Sequence, residues 1–246
     1  MHPEICTLGP FTIYSYGLML AIAFAVSTFL LTRQAKKQGI PEDAIFNLAF
    51  IVFIAGVMGA RLFYVIENFP HYLRNPLEVI MLQYGGLSWF GGLIAGLTAG
   101  VFYLRKKKLP ILKVIDLLVP FVALGQSIGR IGCLLNGCCY GKAAAVGLYF
   151  PVHQFILIPV QIYSSVFLLA IFVILRILQE RPHPEGQILC AYLLLYSVKR
   201  FFIEFWRADN QLIFLRLTLF QVLSILMFAG ALISLVLLSR KKTKVS

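Results

Sequence analysis

Residues 129–141 read Gly-Arg-Ile-Gly-Cys-Leu-Leu-Asn-Gly-Cys-Cys-Tyr-Gly, which puts Arg130, Asn136, Cys133, Cys138 and Cys139 in one short stretch. Several chemistries are open to such a set. A guanidinium binds phosphate or carboxylate bidentately. A thiol beside a cation becomes a thiolate, which can act as base or nucleophile. Neighbouring cysteines can also bind metal, take part in redox chemistry, or pack as small apolar groups. Cys-x4-Cys-Cys is not a strong zinc spacing and adjacent cysteines bridge only with strain, so no metal is expected. A second charged stretch, Arg-Phe-Phe-Ile-Glu-Phe-Trp-Arg, occupies 200–207. Helical spacing puts Arg200, Glu204 and Arg207 on one face. Arg61 and Arg130 fall at the same end of two other apolar runs, where charge is costly unless paired or functional. Phosphate is the ligand this set suits. In Tyr-Gly-Gly-Leu-Ser-Trp-Phe-Gly-Gly-Leu-Ile-Ala-Gly-Leu-Thr-Ala-Gly, at 84–100, Gly96 and Gly100 read as close helix packing. The pairs Gly85-Gly86 and Gly91-Gly92 read as backbone open to an anion at a helix start.

The elements that position these residues follow from composition. The chain has 246 residues, 60% hydrophobic and 13% charged, where a soluble domain carries about a quarter charged. That is the make-up of a chain dissolved in a bilayer. Seven apolar runs are expected to be helices, near 10–31, 43–66, 86–104, 111–131, 157–178, 186–206 and 213–238. They are too long and too continuously apolar for barrel strands. Met1 to Pro10 lacks the basic region of a signal peptide, so the first run is expected to stay as a helix.

The net charge of +12 would suggest nucleic acid in a soluble protein. Here the basic residues cluster between apolar runs, so no nucleic-acid partner is expected. Fourteen of the 22 basic residues fall in alternate loops and the C-terminal tail. The positive-inside rule makes that side cytoplasmic, with the N-terminus outside and the C-terminus inside. The eight others are Arg61, Arg74, Arg130, Lys142, Lys199, Arg200, Arg207 and Arg216. The fold class expected is all-α, polytopic with seven membrane helices, and residues 1–246 form one integral membrane domain.

With these residues in order, the chain resembles the prolipoprotein diacylglyceryl transferases of the bacterial inner membrane. Tyr-Ser-Tyr-Gly-Leu-Met-Leu (14–20) and Gly-Ala-Arg-Leu-Phe-Tyr-Val (59–65) look like segments of that family's first two helices. The glycine stretch, the 129–141 segment, Pro-Val-Gln-Ile-Tyr (159–163), 200–207 and Leu-Thr-Leu-Phe-Gln-Val-Leu-Ser (217–224) follow in the family's order. The resemblance implies transfer of a diacylglyceryl group from phosphatidylglycerol to the lipobox cysteine of a preprolipoprotein, beside its signal peptide at the outer face of the membrane. It implies catalytic roles for Arg130, Arg200, Glu204, Tyr16 and Asn136. Arg61, Arg130, Arg207, Gly91, Gly92, Gly141, Gln161 and Tyr196 would bind substrate, and no cofactor is implied.

The sequence also departs from the family. Phe90 stands where the family keeps a histidine, Cys133 where it keeps an asparagine and Cys138 where it keeps an acid. Ile158 and Ser164 replace a further histidine and acid. Cys133, Cys138, Cys139 or His153 could carry altered chemistry instead. Two other readings stay open: a transferase with a different acceptor, and a non-catalytic protein that binds phospholipid or a partner.

Overall fold

The computed structural model describes residues 1–8, 11–81, 85–208, 210, 212–214 and 217–243. Arg216 and Lys244 lie outside the described residues. Each of the seven apolar runs carries a long helix: α1 (Ser15–Lys37), α2 (Glu42–Glu67), α4 (Trp89–Lys106), α5 (Ile111–Asn136), α6 (Val160–Gln179), α7 (Gln187–Glu204) and α8 (Leu219–Thr243). Between α2 and α4 lie the short helix α3 (Phe69–Arg74) and a 3-10 turn at Pro76–Val79. Five helices, α1, α2, α5, α6 and α8, are long and apolar enough to cross a membrane. With large apolar side chains such as Leu226, Ile233 and Leu237 exposed, this is a multi-pass membrane protein. The remaining two, α4 and α7, have 18 residues each.

The chain is all-helical in class, as expected, and short strands accompany the helices. Three antiparallel hairpins join or precede the helices: β1 (Glu4–Leu8) with β2 (Phe11–Tyr14), β3 (Ala143–Phe150) with β4 (Phe155–Leu157), and β5 (Leu212–Phe214) with β6 (Leu217–Thr218). The expected loop at 132–156 thus holds a strand. Val146, Leu148, Tyr149 and Phe150 suit a pleated strand, and pairing satisfies their backbone where no helix does.

The chain forms two compact units, Thr32–Val114 and Met1–Leu31 with Ile115–Ser246. In the first, glycines bring α2 and α4 together. A Cβ at Gly59 would lie 2.7 Å from the Gly91 carbonyl oxygen, and one at Gly91 would collide with Phe63 and the Gly59 carbonyl. A Cβ at Gly92 would lie 3.1 Å from the Gly56 carbonyl oxygen. Gly91 and Gly92 therefore serve helix contact, the role expected of Gly96 and Gly100.

Arg61 is the fastener of this unit. It is buried, and its Nε donates to the Val79 carbonyl at 2.9 Å. Nη1 donates to Gly85 and Gly86 at 2.5 and 3.0 Å, and Nη2 to Met81 at 3.1 Å and to Glu78. A guanidinium has five N–H groups, and all of them are spent on backbone carbonyls. Arg61 thus has no donor left for a phosphate, which corrects its expected role as a substrate ligand. The carbonyls can converge because Gly85 and Gly86 take φ of 73° and 80°, a region that favours glycine.

The second unit is built on α5, α6 and α7, whose core includes Val119, Ala123, Ile171, Leu175, Ile188 and Tyr192. Asp116 of α5 caps α7 from outside. Its carboxylate accepts the Gly186 N–H at 2.6 Å and the Leu189 N–H at 2.8 Å. Ser127 and Ser165 each donate to the other's carbonyl at 2.8 Å, which ties α5 to α6.

Arg61→Lys keeps the charge but offers three donors on a point rather than five in a fork. Stability should fall by about 2–4 kcal/mol, and hydrogen exchange should accelerate at Gly85–Ser88. Unchanged exchange there would show that Arg61 does not hold this segment.

Candidate active site

The site grows from one end of α5, in the unit that contains Met1–Leu31 and Ile115–Ser246. Arg130 lies on the last turns of this helix and is half-buried. It makes no hydrogen bond or ion pair among the described residues. Gly132 lets α1 approach: a Cβ there would lie 3.0 Å from Met19 Cβ and 3.5 Å from Tyr16 Cα. Tyr16 is thereby brought within electrostatic range of Arg130, Cys133, Cys138 and Cys139.

Past Asn136 the chain turns tightly, with φ of 75° at Gly137 and 60° at Cys139. The left-handed conformation costs a non-glycine residue about 1–2 kcal/mol, so neighbours must hold it. The Cys138 N–H donates to the Cys133 carbonyl at 3.1 Å. Gln161, 1% exposed, donates from Nε2 to the Cys138 carbonyl at 2.7 Å. His153 Nε2 meets the Gly137 carbonyl at 3.0 Å, and its ring lies 4.1 Å from that of Tyr140. His153 was expected to offer altered chemistry; its ring is instead engaged in holding the turn.

The turn gathers the thiols. The Sγ atoms of Cys133, Cys138 and Cys139 all lie within 4.8 Å of one another, although the spacing alone did not point to a cluster. Hydrogen bonds from Cys133 and Cys138, with Arg207 and Arg130 pulling the same way, hold the Cys139 thiol far below the usual thiol range. The Asn136 side chain acts on the Cys138 thiol.

The turn is also stitched to the residues beyond α7. Gly141 bridges to Arg207, and the Lys142 N–H donates to the Trp206 carbonyl at 2.8 Å. Gly141 is required: a Cβ there would stand 2.6 Å from Val160 Cγ2 and 2.7 Å from the Ile158 carbonyl oxygen. The expectation of one helical face for Arg200, Glu204 and Arg207 needs correction here. The helix α7 stops at Glu204, and Arg207 is placed by the bridge to Gly141.

On α7 the chemistry is ionic. Arg200 Nη2 stands 3.1 Å from Glu204 Oε2, with side-chain exposures of 10% and 0%. Glu204 Oε1 accepts Asn210 Nδ2 at 2.5 Å and Thr218 Oγ1 at 2.9 Å. Thr218 and Gln221 cap the start of α8 reciprocally: Thr218 N–H donates to Gln221 Oε1 at 2.9 Å, and Gln221 N–H to Thr218 Oγ1 at 3.3 Å. The Arg200 guanidinium lies 4.3 Å from the centre of the Phe220 ring.

Lys199, Asn210 and Thr218 were not anticipated as site residues. Lys199 is buried, and its ammonium lies 5.0 Å from the centre of the Tyr196 ring. The signal available for it was a second basic residue directly beside Arg200. Lys199, Arg200, Arg207 and Arg130 act on one another electrostatically. Tyr196 also packs on Tyr192, with ring centres 5.7 Å apart. Phe90, Arg61, Gly91 and Gly92 belong to the other unit.

The family model for prolipoprotein diacylglyceryl transferase matches residues 3–237. The chain is similar to the phosphatidylglycerol–prolipoprotein diacylglyceryl transferase of Clostridium tetani, 38% identical over 218 residues, or 85% of this chain and 86% of the relative. It is also similar to the enzyme of that name in Clostridioides difficile, 34% identical over 235 residues, covering 96% of this chain and 94% of the relative. A third relative of the same name, from Enterococcus faecalis, is 32% identical over 246 residues, or 93% of this chain and 87% of its own. The chain belongs to the prolipoprotein diacylglyceryl transferase family.

Proposed function

We propose that this protein moves a diacylglyceryl group from phosphatidylglycerol to the cysteine thiol of a prolipoprotein lipobox, releasing glycerol phosphate. The observation that carries this reading is Arg130. It is a half-buried guanidinium without an internal hydrogen-bond or ion-pair partner among the described residues, set in a field of other cations. An oriented guanidinium in that position suits a phosphate whose charge grows as the ester bond breaks. Arg200 adds a second cation, held in place by Glu204. Tyr16 and Asn136 would hydrogen-bond the headgroup, and Gln161 and Tyr196 would line its surroundings. Arg207 and Gly141 would set the wall through their bridge. Holding lipid and thiol in line supplies the rest. The thiol gives its proton to solvent and attacks the glycerol carbon, the carbon–oxygen bond breaks, and glycerol phosphate leaves with the electron pair toward Arg130.

In the same reading α4 and α7 complete seven spans. The basic loops face the cytoplasm, the N-terminus lies outside, and residues 1–246 act as one domain of the bacterial inner membrane. The site opens toward the outer leaflet, where the signal peptide of the precursor arrives.

The direct test incubates purified protein with phosphatidylglycerol and a lipobox peptide and follows thioether formation and glycerol phosphate release. Both products should appear together. Glycerol phosphate without peptide modification would indicate another acceptor, and lipid binding without turnover would indicate a non-catalytic binder. Arg130→Ala should abolish transfer, and full activity in that variant would sink the phosphate role. Glu204→Gln keeps a side-chain oxygen for Thr218 but removes the charge opposite Arg200. Turnover should drop at least about tenfold, the equivalent of 1.4 kcal/mol in the barrier. An unchanged rate would mean that the pair does not orient the site.

A further inference from the structure

Phosphate binding leaves three thiols without a task. Cys133 stands in the last turn of α5, Cys138 and Cys139 in the turn that follows, and their Sγ atoms lie within 4.8 Å of one another. Two thiolates on one zinc ion, each at about 2.3 Å, stand about 4 Å apart. The spacing therefore needs only small side-chain rotations. The backbone is already committed to it: Cys139 holds a φ of 60°, and the carbonyls of Cys133 and Cys138 are pinned at 3.1 and 2.7 Å by the Cys138 N–H and Gln161.

Charge and donor type narrow the occupant. Three sulfurs with no oxygen donor select a soft, thiophilic ion over magnesium or calcium. Three thiolates around a divalent ion carry a net charge of about −1, by the rule that ligating thiols are deprotonated. Arg130 and Arg207 both act on Cys139, so the anionic complex would sit beside compensating cations. A tetrahedral ion needs a fourth ligand, and the cluster of His, Cys, Asp and Glu among the described residues stops at three. His153 Nε2 is turned to the Gly137 carbonyl. Among the described residues one coordination position stays without a ligand, as in catalytic rather than structural zinc sites.

We propose that Cys133, Cys138 and Cys139 bind one thiophilic divalent ion of the zinc class, whose open fourth position receives the acceptor thiol. The second half of this proposal rests on the transferase reading. The thiol displaces water from the ion and gives its proton to solvent. The bound thiolate then forms the sulfur–carbon bond to the glycerol unit as the carbon–oxygen bond breaks, and glycerol phosphate leaves with the electron pair. No oxidant or reductant is consumed. The ion would lower the pKa of the thiol and so favour its deprotonation.

The test adds Co2+ to reduced, metal-free, full-length protein and follows sulfur-to-cobalt charge-transfer absorption. A lipobox peptide is then added, beside the same peptide with serine for cysteine. One Co2+ should bind per chain and be displaced by Zn2+. Affinity should fall at least a hundredfold in Cys138→Ser and in Cys139→Ser and stay unchanged in Cys190→Ser. The band should shift with the cysteine peptide alone. The proposal is overturned if no saturable band forms, if the band survives both serine variants, or if the cysteine peptide leaves it unaltered. A disulfide between Cys133 and either neighbour that persists in reductant and excludes the ion would also overturn it. Ion binding is read without lipid or turnover, so its failure leaves the transferase reading standing. Loss of transfer with an intact band would count against that reading and not against the ion site.

Discussion

Glu204 is almost wholly buried, and a carboxylate in that position must be both charge-paired and hydrogen-bonded. Its partners come from separate parts of the chain: Arg200 on α7, Asn210 beyond it, and Thr218 at the entrance to α8. Burying this acid therefore fixes the end of α7, the chain that follows it and the start of α8 together. Arg200 is held against Phe220 by the same arrangement. The bridge from Arg207 to Gly141 then carries that geometry across to the turn after α5. Removing the carboxylate would leave Arg200 charged and buried among Lys199, Arg207 and Arg130, which is a costlier state than never having buried the pair.

Arg61 and Arg130 show why residue type does not settle role. Both are arginines near the end of a long apolar helix. The structure gives every N–H of Arg61 to a backbone carbonyl between Glu78 and Gly86, whereas Arg130 makes no such bond among the described residues. A saturated guanidinium builds a fold, and an unsaturated one in a cationic field is open to an anion.

Much of the fold was legible because long apolar runs admit few structures in a bilayer. Each of the seven runs carries a helix, with ends moved by a few residues. The hairpin at Ala143–Leu157 was not legible, because a strand of eight residues between two helices leaves little periodicity to read. Arg207 was placed on the wrong element because helical spacing continues on paper past Glu204, whereas the backbone turns there. Gly91 and Gly92 were read for their permissive backbone; the proximity of α2, which also requires glycine there, is a tertiary fact. The 129–141 segment was read as the centre of a site. The convergence of its thiols was not, since it depends on the left-handed turn at Gly137 and Cys139 and on Gln161 from α6. Lys199 was counted among the basic residues but given no site role, because a lysine on an apolar helix reads equally well as a snorkelling side chain.

The central claim is that the cations around Glu204 and Arg130 hold the phosphate of a lipid headgroup. The most direct measurement is native mass spectrometry of the purified protein with phosphatidylglycerol and with a diacylglycerol of the same chains, which lacks only the phosphate and its glycerol. Phosphatidylglycerol should be retained at one molecule per protein and resist displacement by excess diacylglycerol, and Arg130→Ala should abolish that preference. Equal retention of the two lipids by the unaltered protein would contradict the claim.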